Sequence, residues 1–176
     1  MDIPLSRAER RALQRATRKP TSPRREKKPI LRDPMGWLVE TLTPMTQQDG
    51  GNYVLMWKVR VHGAMQLILQ GKARKNEVND IVAAWNITSA LCNIHHKPDP
   101  CIITSKEAIK SLCERSNAMG RVVAKANEIN ALNELVDLHD AWIESITVGQ
   151  MEEALAWCRK HEHAGDVLRG KDIPTW

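Results

Sequence analysis

Residues 52–61 read NYVLMWKVRV, and the period assigned to that stretch decides the fold class. Taken two at a time, Tyr53, Leu55, Trp57, Val59 and Val61 fall on one face, and Val54, Met56, Lys58 and Arg60 fall on the other. That is the alternation of a half-buried strand rich in β-branched and aromatic side chains. GWLVETLTPM, residues 36–45, alternates over most of its length as well, and TQQDGG between the two is rich in turn formers. The pair predicts a β-hairpin. Its better apolar face must pack on the rest of the domain, because two strands alone are not stable in water.

Downstream the period lengthens to that of a helix. HGAMQLILQGKA, residues 62–73, predicts a short helix closed at Gly71. KNEVNDIVAAWNITSALCNIHH, residues 75–96, places Val78, Ile81, Val82, Trp85 and Cys92 at core spacing. In residues 104–119, Thr104 and Glu107 have the spacing of a capping box, and Gly120 is placed to end the helix. The strongest helical period is in residues 127–146, with Ile129, Leu132, Leu135, Val136, His139, Trp142, Ile143 and Ile146. Thr147 and Gln150 form another box, opening a helix toward Gly165. The predicted class is α+β, predominantly α: one β-hairpin packed on four or five helices.

The chain's 176 residues suffice for one domain with a real core, and its net charge of +5 is unevenly spread. Residues 1–33 hold eleven Lys and Arg against four acidic residues, a net +7, which leaves −2 for the remainder. LSRAERRALQRATRKP, residues 5–20, offers Ser6 and Glu9 as a capping box but only a thin apolar side, so it reads as a nascent helix. Pro20, Pro23, Pro29 and Pro34 then favour an extended linker. The expected organisation is a disordered basic arm and linker at 1–33, a single globular domain at 34–165, and a flexible tail at 166–176. Four cysteines without the dense spacing of a secreted scaffold, and no apolar run after Met1, fit a reducing, cytoplasmic compartment. No stretch has the roughly eighteen apolar residues of a membrane span.

DPMGWLVETLTP (33–44), HGAMQLILQGKARKNEVNDIVAAWNITSAL (62–91) and EINALNELVDLHDAWIESITVGQMEEAL (128–155) resemble blocks of a family of short β-proteobacterial proteins of unassigned activity, of the kind carried on prophages and plasmids. The resemblance covers less than half the chain and implies a bacterial origin and a mobile element. It transfers no site residue, and the basic arm lies outside it.

LCNIHHKPDPCI, residues 91–102, raises the question of zinc. Cys92 can share a helix face with His95 or His96, Cys101 could fold back past Pro98 and Pro100, and Cys113 could complete a tetrahedron. Against this, Cys92 and Cys113 fall on apolar faces, where a free cysteine behaves as a small hydrophobe, and the spacing matches no standard finger. The expectation is a metal-free protein, with folding to decide whether those five residues meet. In CRKHEH, Cys158, His161 and His163 point in directions that one helix cannot bring to a single ion.

ELVDLHDAWIE, residues 134–144, sets Glu134, Asp137, His139, Asp140 and Glu144 on one helix, and its His-Asp pair invites a hydrolase reading that would need ligands such as His62 from elsewhere. A solvated acidic face with one partly buried histidine is the simpler account. There is no phosphate-cradling glycine loop and no nucleophile paired with a base. The expectation is a non-catalytic accessory or regulatory protein without a cofactor. It would bind nucleic acid non-specifically through Arg7, Arg10, Arg11, Arg15, Arg18, Lys19, Arg24, Arg25, Lys27 and Lys28. The alternative is an interaction module, an inhibitor or adaptor whose helical surface docks on a host or phage protein or on a second copy, with exposed tryptophans such as Trp37 and Trp176 as anchors.

Overall fold

The computed structural model describes residues 42–162 and 166–169. A 3-10 segment, Met45–Gly51, leads into five helices: α1 (Asn52–Leu69), α2 (Lys75–Ile94), α3 (Pro100–Met119), α4 (Ala126–Ser145) and α5 (Val148–His161). The described residues contain no strand, so their fold is all-helical and the β-hairpin is corrected. NYVLMWKVRV is the first half of α1, and residues 36–41 of the other expected strand lie outside the described residues.

The reason lies in the residues just downstream of that stretch. Val54 and Val61 are buried together with Ala64, Met65 and Ile68, a helical stripe that continues unbroken into the next segment. The period-two face is divided instead: Val61 is buried, while Leu55 and Val59 are exposed. Gly51, at φ 83°, lets the chain turn into the helix. Gly71, at φ 65°, closes it, its N–H donating to the Ile68 carbonyl at 3.0 Å while the Lys72 N–H donates to Leu67 at 2.9 Å.

The other helices start and stop by local chemistry. Glu77 accepts from the Arg74 N–H at 2.7 Å and so ties the first turn of α2. At α3 the Thr104 box is superseded: the helix begins four residues earlier, with Asp99 accepting from the Cys101 N–H at 2.8 Å and Pro100 in the first turn. Thr104 instead donates to the Pro100 carbonyl at 3.0 Å. Gly120, at φ 66°, ends α3, and Thr147 with Gln150 forms the box that opens α5.

Helix α2 packs against α1, α3, α4 and α5. Its N-terminal half, from Val78 to Trp85, joins Val61, Met65 and Ile68 of α1, Ile109 and Leu112 of α3, and Leu132 and Leu135 of α4 in one core cluster. Its C-terminal half, with Ile87, Ala90 and Leu91, joins Met45, Val54, Ile143, Met151 and Ala154 in a second. Val167 and Leu168, at the start of the stretch expected as a tail, are buried. The Asn86 amide holds Leu168 from both sides, donating to its carbonyl at 3.1 Å and accepting from its N–H at 2.9 Å.

Among the described residues, one charged side chain is sealed inside: Glu128 is 3% exposed. It accepts from Ser111 at 2.8 Å, from the Lys125 N–H at 2.8 Å and from Arg115, which also donates to the Val123 carbonyl at 2.8 Å. Burial pushes its carboxyl up, but the bonds from Arg115, the Lys125 backbone and Ser111 outweigh it, so the group sits below its usual range. Removing one partner of such a pair leaves an uncompensated buried charge. Arg115→Ala is therefore expected to lower unfolding stability by about 3 kcal/mol, whereas Arg60→Ala, which breaks the exposed pair with Asp80, should change it by less than about 1 kcal/mol. Urea denaturation of both variants checks the contrast.

Candidate functional site

The ten arm residues expected to bind nucleic acid, Arg7 through Lys28, lie outside the described residues. The remaining candidates are distributed over the bundle. Cys92 and Cys113 are buried on α2 and α3, Cys101 sits half-buried at the start of α3, and burial pushes the Cys92 and Cys101 thiols up, away from the thiolate a metal needs. His95 stacks on Trp142 of α4, with ring centroids 5.1 Å apart. His96, at φ 51°, turns the chain out of α2. Among the described residues, no three His, Cys, Asp or Glu side chains gather into a metal-holding group. Cys158 is occupied otherwise, donating to the Asn86 carbonyl at 3.4 Å, and His161 stacks on Trp157 at 4.1 Å.

The His-Asp pair of α4 is split by the helix. Asp140 points to α1, where its Oδ2 lies 2.9 Å from His62 Nε2 and 3.3 Å from Lys58 Nζ. Lys58 also pairs with Glu144, which is the first cause holding its ammonium above the usual range. His139 points inward to α2 and is fully buried. Its Nδ1 lies 3.1 Å from Thr88 Oγ1, whose hydroxyl donates to the Ala84 carbonyl at 2.8 Å. The hydroxyl proton is thus committed, so the imidazole is the donor at Nδ1 and its Nε2 carries the lone pair. Trp57 meets the ring edge-on at 6.1 Å. His62 and Asp140 are brought together, then, but His139 stands apart from them as part of the core. Proton transfer to a substrate needs a reachable nitrogen, and this one is closed in.

Recesses with aromatic or cationic linings among the described residues include these two. A cleft of about 780 Å³ runs between α2, α3 and α5, with Trp85, Ile103 and Trp157 beside Asn93, Lys106 and His161. The Lys106 ammonium lies over the Trp85 ring at 5.1 Å, so that cation is already engaged. The second is a groove of about 560 Å³ where the loop before α2 meets the end of α3, lined by Arg74, Lys75, Asn76, Gly120 and Arg121. Arg74, Lys75 and Arg121 are exposed and form no ion pair among the described residues, in contrast to Lys58, Arg60 and Arg115, each matched to a carboxylate. The start of α2 adds the partial positive charge of its N–H groups, offset there by the Glu77 carboxylate. The basic run K-A-R-K at 72–75 is visible in the sequence. Arg121 joins it only through the fold, and subtraction of the arm's charge conceals both.

Burial holds the His139 imidazolium down to about pH 4, against 6.5 in the open chain. Between those values the unfolded chain binds a proton that the folded chain does not, so stability falls as pH falls through that window, by about 3 kcal/mol in all. His139→Leu, which leaves the Thr88 hydroxyl bonded to Ala84, is expected to flatten this dependence. Denaturation midpoints of the two proteins across the window check it, and parallel curves would assign the acid lability elsewhere. Compared with protein-family models, curated proteins and solved structures, the chain matches none.

Proposed function

We propose that the protein is a non-catalytic accessory protein that holds nucleic acid by its phosphates. The arm cations Arg7, Arg10, Arg11, Arg15, Arg18, Lys19, Arg24, Arg25, Lys27 and Lys28 supply the main attraction. Arg74, Lys75 and Arg121 add a second contact on the helical body. The observation that carries this reading is the convergence of Arg74, Lys75 and Arg121 on one groove, where none of the three is in an ion pair among the described residues.

Phosphates answer both features. Each one neutralised releases condensed counterions, which favours association wherever several cations can meet one backbone. Arginine forks suit phosphate geometry, and the arm is rich in them. The arm has no aromatic residue to stack on bases, so recognition by base identity is not part of the proposal.

The test is titration of the full chain against two labelled duplexes of unrelated sequence over a range of salt. Both should bind equally, with affinity falling steeply as salt rises. Arg10, Arg11, Arg24 and Arg25 changed together to Ala should weaken binding to both duplexes alike and flatten the slope of log K against log salt by about 0.9 for each lost phosphate contact. Arg74→Ala with Arg121→Ala should do the same to a smaller extent. No binding at low salt, or binding indifferent to both sets of substitutions, overturns the proposal.

A further inference from the structure

We propose that the outer face of α1 is an interface with a second copy of this chain, docked antiparallel about a two-fold axis at Val59. The inference is independent of the nucleic-acid reading. Leu55, Met56 and Val59 lie within two turns of α1 and are 58%, 49% and 62% exposed. They stand opposite the stripe of Val54, Val61, Ala64, Met65 and Ile68 that the bundle covers. A surface helix that buries one such stripe and leaves apolar side chains clustered on its back has a second face to cover.

The pattern on that face selects its occupant. One turn below Val59 is Leu55; one turn above it is Gly63, where a Cβ would meet nothing within 4 Å. Two turns out in each direction stand Asn52 and Gln66, both exposed. An antiparallel copy with Val59 on Val59 lays each Leu55 into the notch over the other's Gly63, and sets Asn52 opposite Gln66, amide to amide. A parallel copy would stack Leu55 on Leu55 and leave two glycines facing across a gap. The antiparallel arrangement closes on itself, as a two-fold contact does.

The borders agree with this arrangement. On the α4 side Lys58 is accompanied by Asp140 and Glu144; on the α2 side Arg60 is accompanied by Asp80. A two-fold of this kind turns each border against its own copy, and because both carry both signs, neither meets a wall of like charge. The face from Asn52 to Gln66 is about 21 Å long at the rise of a helix. A single helix pair of that length stays below the roughly 1,200 Å² of total buried area typical of stable complexes, so the dimer is weak and forms in proportion to concentration.

Sedimentation equilibrium of the full chain in reducing buffer tests this. The mass is expected to rise from one chain toward two with concentration. Val59→Lys should abolish the rise with an unchanged melting temperature, because the side chain faces water in the single chain. Gly63→Leu, which suits a helix better than glycine, should abolish it by filling the notch. Val59→Cys should cross-link into a dimer on mild oxidation, whereas Glu114→Cys on α3 should not. A wild-type chain that stays single at every concentration overturns the proposal. So does a dimer that survives both Val59→Lys and Gly63→Leu, which places the contact elsewhere. A single-chain wild type that loses melting temperature on Val59→Lys also overturns it, since the face is then covered by the chain's own residues.

Discussion

A helix apolar on nearly every side cannot face water, and α2 is such a helix. From Val78 to Cys92 it buries Ile81, Val82, Ala84, Trp85, Ile87, Ala90 and Leu91, with Thr88 and Ser89 among them. The remaining elements are arranged to cover it, which is why two core clusters share one helix. Its polar groups are satisfied close at hand: Thr88 bonds the Ala84 carbonyl, Asn93 the Ser89 carbonyl at 2.8 Å, and the Trp85 Nε1–H the Ile102 carbonyl at 2.9 Å. A buried helix can carry such residues only because each finds a partner without leaving the core.

Where the sequence was legible, local chemistry and global packing agreed. Gly120 and the Thr147–Gln150 box mark helix ends in the chain as in the fold, and the spacing of Leu132, Leu135, Val136 and Ile143 marks an inner face. NYVLMWKVRV misled because apolar residues fill most of its positions, so either period fits; the deciding residues, Ala64, Met65 and Ile68, lie beyond it. At α3 the Thr104–Glu107 spacing suggested the start, yet Asp99 takes the N-cap and Pro100 is well placed in the helix's first turn. The His139–Asp140 pair was legible as two residues but not as two directions, since neighbours on a helix diverge. The groove of Arg74, Lys75 and Arg121 was hidden because net charge is a sum, and a sum carries no positions.

The contact between α1 and α4 differs in kind from the apolar packing on α2. Lys58 and His62 meet Asp140 and Glu144, and Trp57 meets His139, with Trp57 Nε1, His139 Nε2 and Asp140 Oδ1 buried and lacking a hydrogen-bond partner among the described residues. Ion pairs of partly exposed groups weaken with salt, whereas the packing of Val61 and Ile68 on α2 does not. Position along this seam is therefore set by charge, and adhesion by the core behind it.

The two-sided grip of Asn86 on Leu168 has a consequence for biosynthesis. Leu168 belongs to the same cluster as Val61, Met65 and Trp85, so the first-made core helices lack one of their neighbours until translation has passed that residue. The Asn86 amide, meanwhile, has both its donor and its acceptor turned toward a backbone that does not yet exist. A nascent chain stalled before that point presents an open seat on α2, apolar at its base and polar at its rim, which is the kind of surface that chaperones engage on unfinished domains.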